Sequence, residues 1–123
     1  MPEFVNPFSG IVPRKLTNSE LARAIRLNLS AEEEAVHLYE AHADATNNEL
    51  VRKVLLDIAN EERVHAGEFQ RVLNILLDDE ETLLAKGANE VNEMADETPG
   101  FTQNHKYVIP TIGNLKQYIK EKY

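Results

Sequence analysis

Two long stretches of the chain carry apolar residues at the three- and four-residue spacing of an amphipathic helix. The first runs from Asn18 to about Ala45, and the second runs from about Asn48 to Leu77. The apolar positions are Leu21, Ala24, Ile25, Leu29, Ala35, Val36 and Tyr39 in the first stretch, and Leu50, Val54, Leu55, Ile58, Ala59, Ala66, Phe69, Val72, Leu73 and Leu76 in the second. Because only a short turn separates the two stretches, they are predicted to form an antiparallel hairpin.

Two pairs of polar residues predict where these helices begin. Thr17 and Glu20 have the spacing of a capping box, in which each side chain accepts a hydrogen bond from the backbone N–H of the other residue. Thr46 and Glu49 have the same spacing before the second helix. The sequence therefore predicts a capping box at both helix starts.

A third, shorter helix is predicted after the acidic residues 78–81, which would lie at its positive end. Asp78 is its predicted N-cap. Gly87 weakens this helix internally, because glycine has a low helix propensity. The Pro-Gly pair at 99–100 ends it.

The chain divides by composition into three parts. Residues 1–16 contain three prolines and are predicted to be an extended N-terminal arm. Residues 17–97 form the predicted helical domain. Residues 98–123 begin as a polar linker and continue into a short apolar and basic segment, which resembles a docking peptide.

Acidic residues interrupt the apolar seam of each long helix. Glu32 shares a helical face with Ile25, Leu29, Val36 and Tyr39, and Glu62 shares one with Leu55, Ile58, Phe69 and the histidine three residues further on, His65. A carboxylate on a core-facing stripe costs several kcal/mol unless a partner compensates it. These side chains can meet only where the two helices pack, and a metal ion is the expected partner.

Composition limits the possible partners and the possible types of metal site. The 123 residues carry a net charge of -8, with 21 acidic and 13 basic residues, which argues against nucleic acid as a partner and favours cations. The chain has no cysteine, so thiolate metal sites and disulfides are excluded. It has no apolar run of the length needed to span a bilayer and no secretory signal, so the protein is expected to be soluble and cytoplasmic.

Counting ligands predicts that two copies must meet. A ferritin-like four-helix bundle binds two metal ions with a Glu from each of two helices and a Glu-x-x-His from each of the other two. This chain supplies one of each, so dimerisation would complete the bundle with Glu32, Glu62 and His65 taken twice. Oxygen-rich ligation with one imidazole per ion favours Fe(II) or Mn(II).

These motifs together resemble those of the encapsulated ferritins, the cargo proteins of encapsulin nanocompartments. The resemblance rests on Glu32 followed by Tyr39, on the Glu-Arg-Val-His motif at 62–65, and on the C-terminal Thr-Ile-Gly-Asn-Leu-Lys at 111–116. It covers the two long helices and the tail. The chain departs from the family at position 31, where an alanine replaces an acid, and at Asn114, where serine is usual.

The resemblance implies a ferroxidase with a di-iron centre between two subunits, which associate further into a ring-shaped decamer. Glu32, Glu62 and His65 match the family's iron ligands, Tyr39 matches the tyrosine beside them, and Glu34 matches an outer acidic position on the iron path. The same ligands could accept Mn, Zn or Ca in vitro. The tail would bind an encapsulin shell protein and so place the chain inside a cytoplasmic nanocompartment. The chain would supply Fe(III) for storage there. No nucleic acid or membrane partner is expected.

Two other functions are compatible with the same residues. One is a peroxide reductase of rubrerythrin type, which would need an external electron donor because the chain has no cysteine for a rubredoxin centre. The other is a non-catalytic helical adaptor whose metal only fastens the dimer. Several polar residues lie off the seams and are predicted to be ordinary surface, namely Glu33, Glu61, Glu68, His37 and His42.

Overall fold

A computed structural model describes residues 14–101. It contains three helices, α1 (Asn18–Asp44), α2 (Glu49–Leu76) and α3 (Glu80–Asp96), and this described part holds no strand. The predicted all-α class, with two long helices and a shorter third, is confirmed. Residues 1–13 of the arm predicted at 1–16, and the docking segment at 111–116, lie outside the described residues. The chain divides into two compact units after Asp78, so the hairpin and α3 are described separately.

The start of α1 is the capping box that the sequence predicts. The backbone N–H of Glu20 donates to Thr17 Oγ1 at 3.3 Å, and the backbone N–H of Thr17 donates to Glu20 Oε1 at 3.1 Å. Arg14 adds a two-point ion pair, with guanidinium nitrogens 2.8 and 2.7 Å from the two Glu20 oxygens. Glu20 therefore fixes both the first turn of the helix and the chain that leads into it.

The predicted capping box at the start of α2 is wrong. The helix begins at Glu49, and Asn48 is its N-cap, with Oδ1 accepting from the backbone N–H of Val51 at 3.1 Å. Thr46 instead accepts from the backbone N–H of Asn48 at 3.2 Å, within the turn. Glu49 is thus the first helical residue, and a capping box requires the glutamate at the third.

The predicted cap of α3 is also wrong. The N-cap position is Asp79, one residue after the predicted Asp78, and its side chain makes no capping hydrogen bond within the described region. The backbone of Asp79 already has a helical conformation, with φ -101° and ψ -6°, whereas a capping side chain normally extends from a β conformation. The acids of the first turn, Glu80 and Glu81, still favour this end through the helix dipole.

Small side chains form the contact between α1 and α2. The buried residues of the hairpin are Ala22, Ala43, Ala59, Ala66 and Leu73. Alanine lets two helix backbones approach closely, but it covers little apolar surface. Many larger apolar side chains of both helices therefore stay partly exposed, which is expected of one layer that lacks a second.

Within the described residues, no helix has the length and apolarity required to span a membrane.

Candidate metal centre

The middle of the hairpin brings together the three residues predicted from the seams. Glu32 comes from α1, and Glu62 and His65 come from successive turns of α2. One ligand atom from each of the three lies within 4.8 Å of the other two. Ala59 and Ala66, buried on α2 on either side of Glu62, let α1 approach at this level.

His65 Nδ1 is the centre of this cluster. It lies 3.4 Å from Glu62 Oε2 and 3.8 Å from Glu32 Oε2. Both carboxylate side chains are 19% exposed, whereas the imidazole is 47% exposed. The two acids are therefore half-buried between the helices, and the ring closes the cluster on its open side.

The pKa values of the two carboxyl groups are shifted in opposite directions. A hydrogen bond with Glu62, followed by desolvation and the charge of Glu62, raises the pKa of Glu32. The same hydrogen bond, together with one to His65, lowers the pKa of Glu62. Of the two acids, Glu32 therefore binds a proton more readily, and Glu62 ionises more readily. A hydrogen bond to Glu62 also raises the pKa of His65.

The donor set suits a hard or borderline divalent cation. Two carboxylates and one imidazole match Fe(II) or Mn(II), and the described cluster contains no thiolate that would favour softer ions. A cation would compete with protons for these groups and would compensate the negative charges of the two carboxylates. Three donors fill only half of an octahedral shell, so further ligands must be water or residues of a second chain.

The structure leaves the other two predicted residues outside the cluster. Tyr39 is half-buried on α1, about 10 Å along the helix axis from Glu32. Glu34 is exposed and is not one of the three converging groups. Their roles remain predictions. The five polar residues predicted as ordinary surface are all exposed, as expected.

An ion pair that the sequence did not predict joins α1 and α2. Arg63 of α2 donates to Glu40 Oε1 of α1 at 2.7 Å, and both side chains are largely exposed. Arg63 follows Glu62 directly, and Glu40 follows Tyr39. Opposite charges on separate helices give no sequence signal until the register of the hairpin is known.

Comparison with known proteins gives matches over most of the chain. The rubrerythrin family model matches residues 23–122. The encapsulin nanocompartment cargo protein EncC of Myxococcus xanthus is 49% identical over 90 residues, which are 73% of this chain and 68% of that protein. The ferritin-like-encapsulin shell fusion protein of Pyrococcus furiosus is 37% identical over 102 residues, 83% of this chain but only 30% of the fusion.

A solved structure agrees with these sequence matches. The crystal structure of the encapsulated ferritin domain from Pyrococcus furiosus superposes with a TM-score of 0.66 at 40% sequence identity. The match covers 73% of this chain and 92% of that domain. Both the sequence and the helical arrangement are therefore similar to those of encapsulated ferritins.

Proposed function

The chain belongs to the rubrerythrin family, and from that premise we propose that it is an encapsulated ferritin which oxidises Fe(II) to Fe(III) with dioxygen. The observation that carries this proposal is the convergence of Glu32, Glu62 and His65 from two helices. Iron is the substrate of this reaction. Each Fe(II) loses one electron to dioxygen, and the protein residues hold the ions and compensate their charge.

The reacting site would form between two copies of the chain. One copy provides three donors, so two copies provide six, enough for a pair of ions with bridging carboxylates. Val51, Val54 and Val72 lie on the same face of α2 as Glu62 and His65 and stay 44, 47 and 39% exposed. A second copy packed on this face would cover these side chains and bring its own three ligands to the centre.

Charge makes the paired site selective for cations. Four carboxylates from two copies would repel one another, and two divalent ions would neutralise them. Without metal, protonation of Glu32, whose pKa is raised by its hydrogen bond with Glu62, would relieve part of this repulsion. Removing any one ligand therefore weakens ion binding and leaves the remaining charges unbalanced.

Oxygen consumption with added Fe(II) tests the proposal. Glu32→Ala and His65→Ala should each reduce Fe(II) oxidation in air sharply, because each removes a ligand. Glu33→Ala is the matched control, since Glu33 is an exposed neighbour on the same helix. Undiminished oxidation in both ligand variants would refute the proposal.

The match to the rubrerythrin family favours peroxide reduction as a second candidate. The same three residues could hold iron for that reaction, with electrons from an external donor because the chain has no cysteine. Measuring dioxygen and hydrogen peroxide consumed per iron separates the two reactions. A metal that only fastens the dimer would support neither, because added Fe(II) would not turn over.

The names of the relatives support a place inside an encapsulin shell. One relative is a cargo protein, and another is fused to a shell protein. We propose that this chain forms a homodimer that assembles into a ring-shaped decamer, and that residues 98–123 bind the shell. Co-expression with a shell protein tests the tail, because a chain lacking residues 98–123 should no longer be enclosed while its Fe(II) oxidation persists.

A further inference from the structure

Helix α3 carries an apolar stripe that is exposed in the described structure. Leu83, Leu84, Val91 and Met94 lie within about 100° of one another around the helix axis. They are 57, 43, 62 and 62% exposed. Large apolar side chains gathered on one helical face normally pack against another segment. These four residues form the α3 stripe, a surface that a further segment would cover.

The charges of α3 limit what can cover the stripe. Five acidic residues and one lysine lie between Glu80 and Asp96. Glu90 and Glu97 are exposed and border the stripe. A second copy of α3 would bring the same negative charges against these acids, and like charges oppose such a pairing. The segment that covers the stripe should therefore be both apolar and basic.

Residues 102–123, which lie outside the described residues, have that composition. They contain four lysines and one glutamate. Their aliphatic residues are Val108, Ile109, Ile112, Leu115 and Ile119. This tail therefore complements α3 both in charge and in apolar character. Because the tail follows α3 in the same chain, its concentration near the helix is high without any association of two molecules.

The described chain reverses its direction just after α3. The backbone N–H of Phe101 donates to the carbonyl of Thr98 at 3.4 Å and closes a four-residue turn. Pro99 is the second residue of this turn, and Gly100, with a φ of 93°, is the third, as in a type II turn. The Thr98 hydroxyl donates to the carbonyl of Met94 at 2.7 Å, which holds the turn to the helix. This geometry favours a return of the chain along α3.

The tail is long enough for this return. Helix α3 has 17 residues and is therefore about 25 Å long. About eight extended residues span that distance. We propose that residues 102–123 bind the α3 stripe of the same chain, with their aliphatic side chains on the stripe and their lysines beside Glu90 and Glu97.

This contact would control access to the docking segment. Residues 111–116 would be held against α3 until a shell protein competes for them. That consequence rests on the proposed function, in which the tail binds the shell. The contact itself concerns only α3 and the tail, so it can be tested on the chain alone.

Amide hydrogen exchange of α3, measured by mass spectrometry on the full chain, tests the contact. At a local tail concentration of about 1 mM, a contact with a dissociation constant of about 0.1 mM would slow exchange in α3 about tenfold. Lys116→Glu combined with Lys120→Glu should remove most of this protection, because two tail charges are reversed while α3 is unchanged. Exchange in α2 is the internal reference.

A matched double variant controls for the change in net charge. Lys15→Glu combined with Lys53→Glu reverses two exposed charges outside both α3 and the tail. Exchange in α3 should stay at the wild-type rate in this control. Wild-type exchange of α3 in the tail variant, or equal effects of the two double variants, would overturn the proposal.

Two variants of α3 test whether the tail binds the stripe. Val91→Asp places a charge within the stripe, whereas Asn89→Asp adds the same charge at an exposed position on the opposite side of the helix. Val91→Asp should speed amide exchange in residues 102–123, and Asn89→Asp should not. Equal exchange of the tail in these two variants would contradict binding to the stripe.

Dilution separates the tail of the same chain from that of a second copy. At a concentration where sedimentation shows single chains, the difference in α3 exchange between the wild type and the tail variant should persist. Its disappearance would overturn the proposal, because the cover would then come from another molecule. These measurements need neither metal nor shell, so their failure would leave the proposed Fe(II) oxidation and shell binding standing.

Discussion

At the scale of single residues, protons and metal ions compete for the same groups of the candidate centre. The hydrogen bond with Glu62, followed by desolvation, raises the pKa of Glu32. The hydrogen bond to Glu62 also raises the pKa of His65. With Glu32 and His65 protonated and Glu62 ionised, the charges of the three groups sum to zero. A divalent cation must displace these protons, so the protons compete with the metal.

This competition predicts that metal affinity rises with pH. A cation binds the Glu32 carboxylate and the neutral His65 ring, and both groups have a raised pKa, so each holds its proton to a higher pH than usual. Affinity should be highest above both pKa values and should fall as the pH drops through them. Calorimetry with Co(II) in buffers of different ionisation enthalpy, near pH 6, should show proton release.

His65→Ala provides the control for proton release. This variant should release fewer protons per bound ion, because the ring proton is missing. Binding that neither releases protons nor depends on pH would show that the ion does not bind these groups.

At the scale of the helices, the capping residues show where local sequence is sufficient. The Thr17–Glu20 box was predictable because both partners lie within one turn and Glu20 is the third helical residue. At the start of α2, both Thr46 and Asn48 could be the N-cap. Asn48 caps the helix, whereas Thr46 accepts a hydrogen bond within the turn. At α3, the acidic run contains several possible caps. The choice among them depends on backbone angles, which composition does not determine.

The α1 cap should lose its contribution in acid. The hydrogen bond from Arg14, followed by the backbone hydrogen bond from Thr17, lowers the pKa of Glu20 from 4.5 to about 2. A lowered pKa stabilises the fold above the ordinary value, and this stabilisation disappears as the pH falls from about 4.5 to about 2. Glu20→Gln should therefore lower the stability at neutral pH and remove this part of the acid dependence. Circular dichroism during urea unfolding at neutral and acid pH measures the free energy of unfolding, with Glu33→Gln as the charge-matched control.

Gly87 lowers the stability of α3, and replacing it with alanine should raise that stability. A Cβ at this position would meet nothing within 4 Å in the described structure. Glycine inside a helix costs roughly 0.5–1 kcal/mol relative to alanine, so Gly87→Ala should stabilise α3 by about that amount. Amide hydrogen exchange should slow in α3 but not in α2. Faster exchange or loss of assembly would mean that another chain approaches this position closely.

At the scale of the whole molecule, the sequence predicted which three side chains converge but not the ion pair that also joins the two helices. Glu32, Glu62 and His65 could be found because each polar group interrupts an apolar seam. The Glu40–Arg63 ion pair could not be found, since it depends on the register between two helices. Glu68 was assigned to the surface because it lies off the seam.

The exposed apolar face of the hairpin predicts that metal and self-association are linked. A second copy would cover the face of Val54 and complete the ligand set, so a cation that binds the dimer more tightly than the single chain must favour the dimer. At a free ion concentration 100 times the dissociation constant for the dimer, ion binding stabilises the dimer by at most about 2.7 kcal/mol per site. Sedimentation with and without Co(II) should therefore show larger species with the metal, and His65→Ala should weaken this response.

Val54→Lys should prevent association, whereas Val64→Lys, at an exposed position on another face of α2, should not. Equal association of both lysine variants would mean that the copies do not meet on the face of Val54.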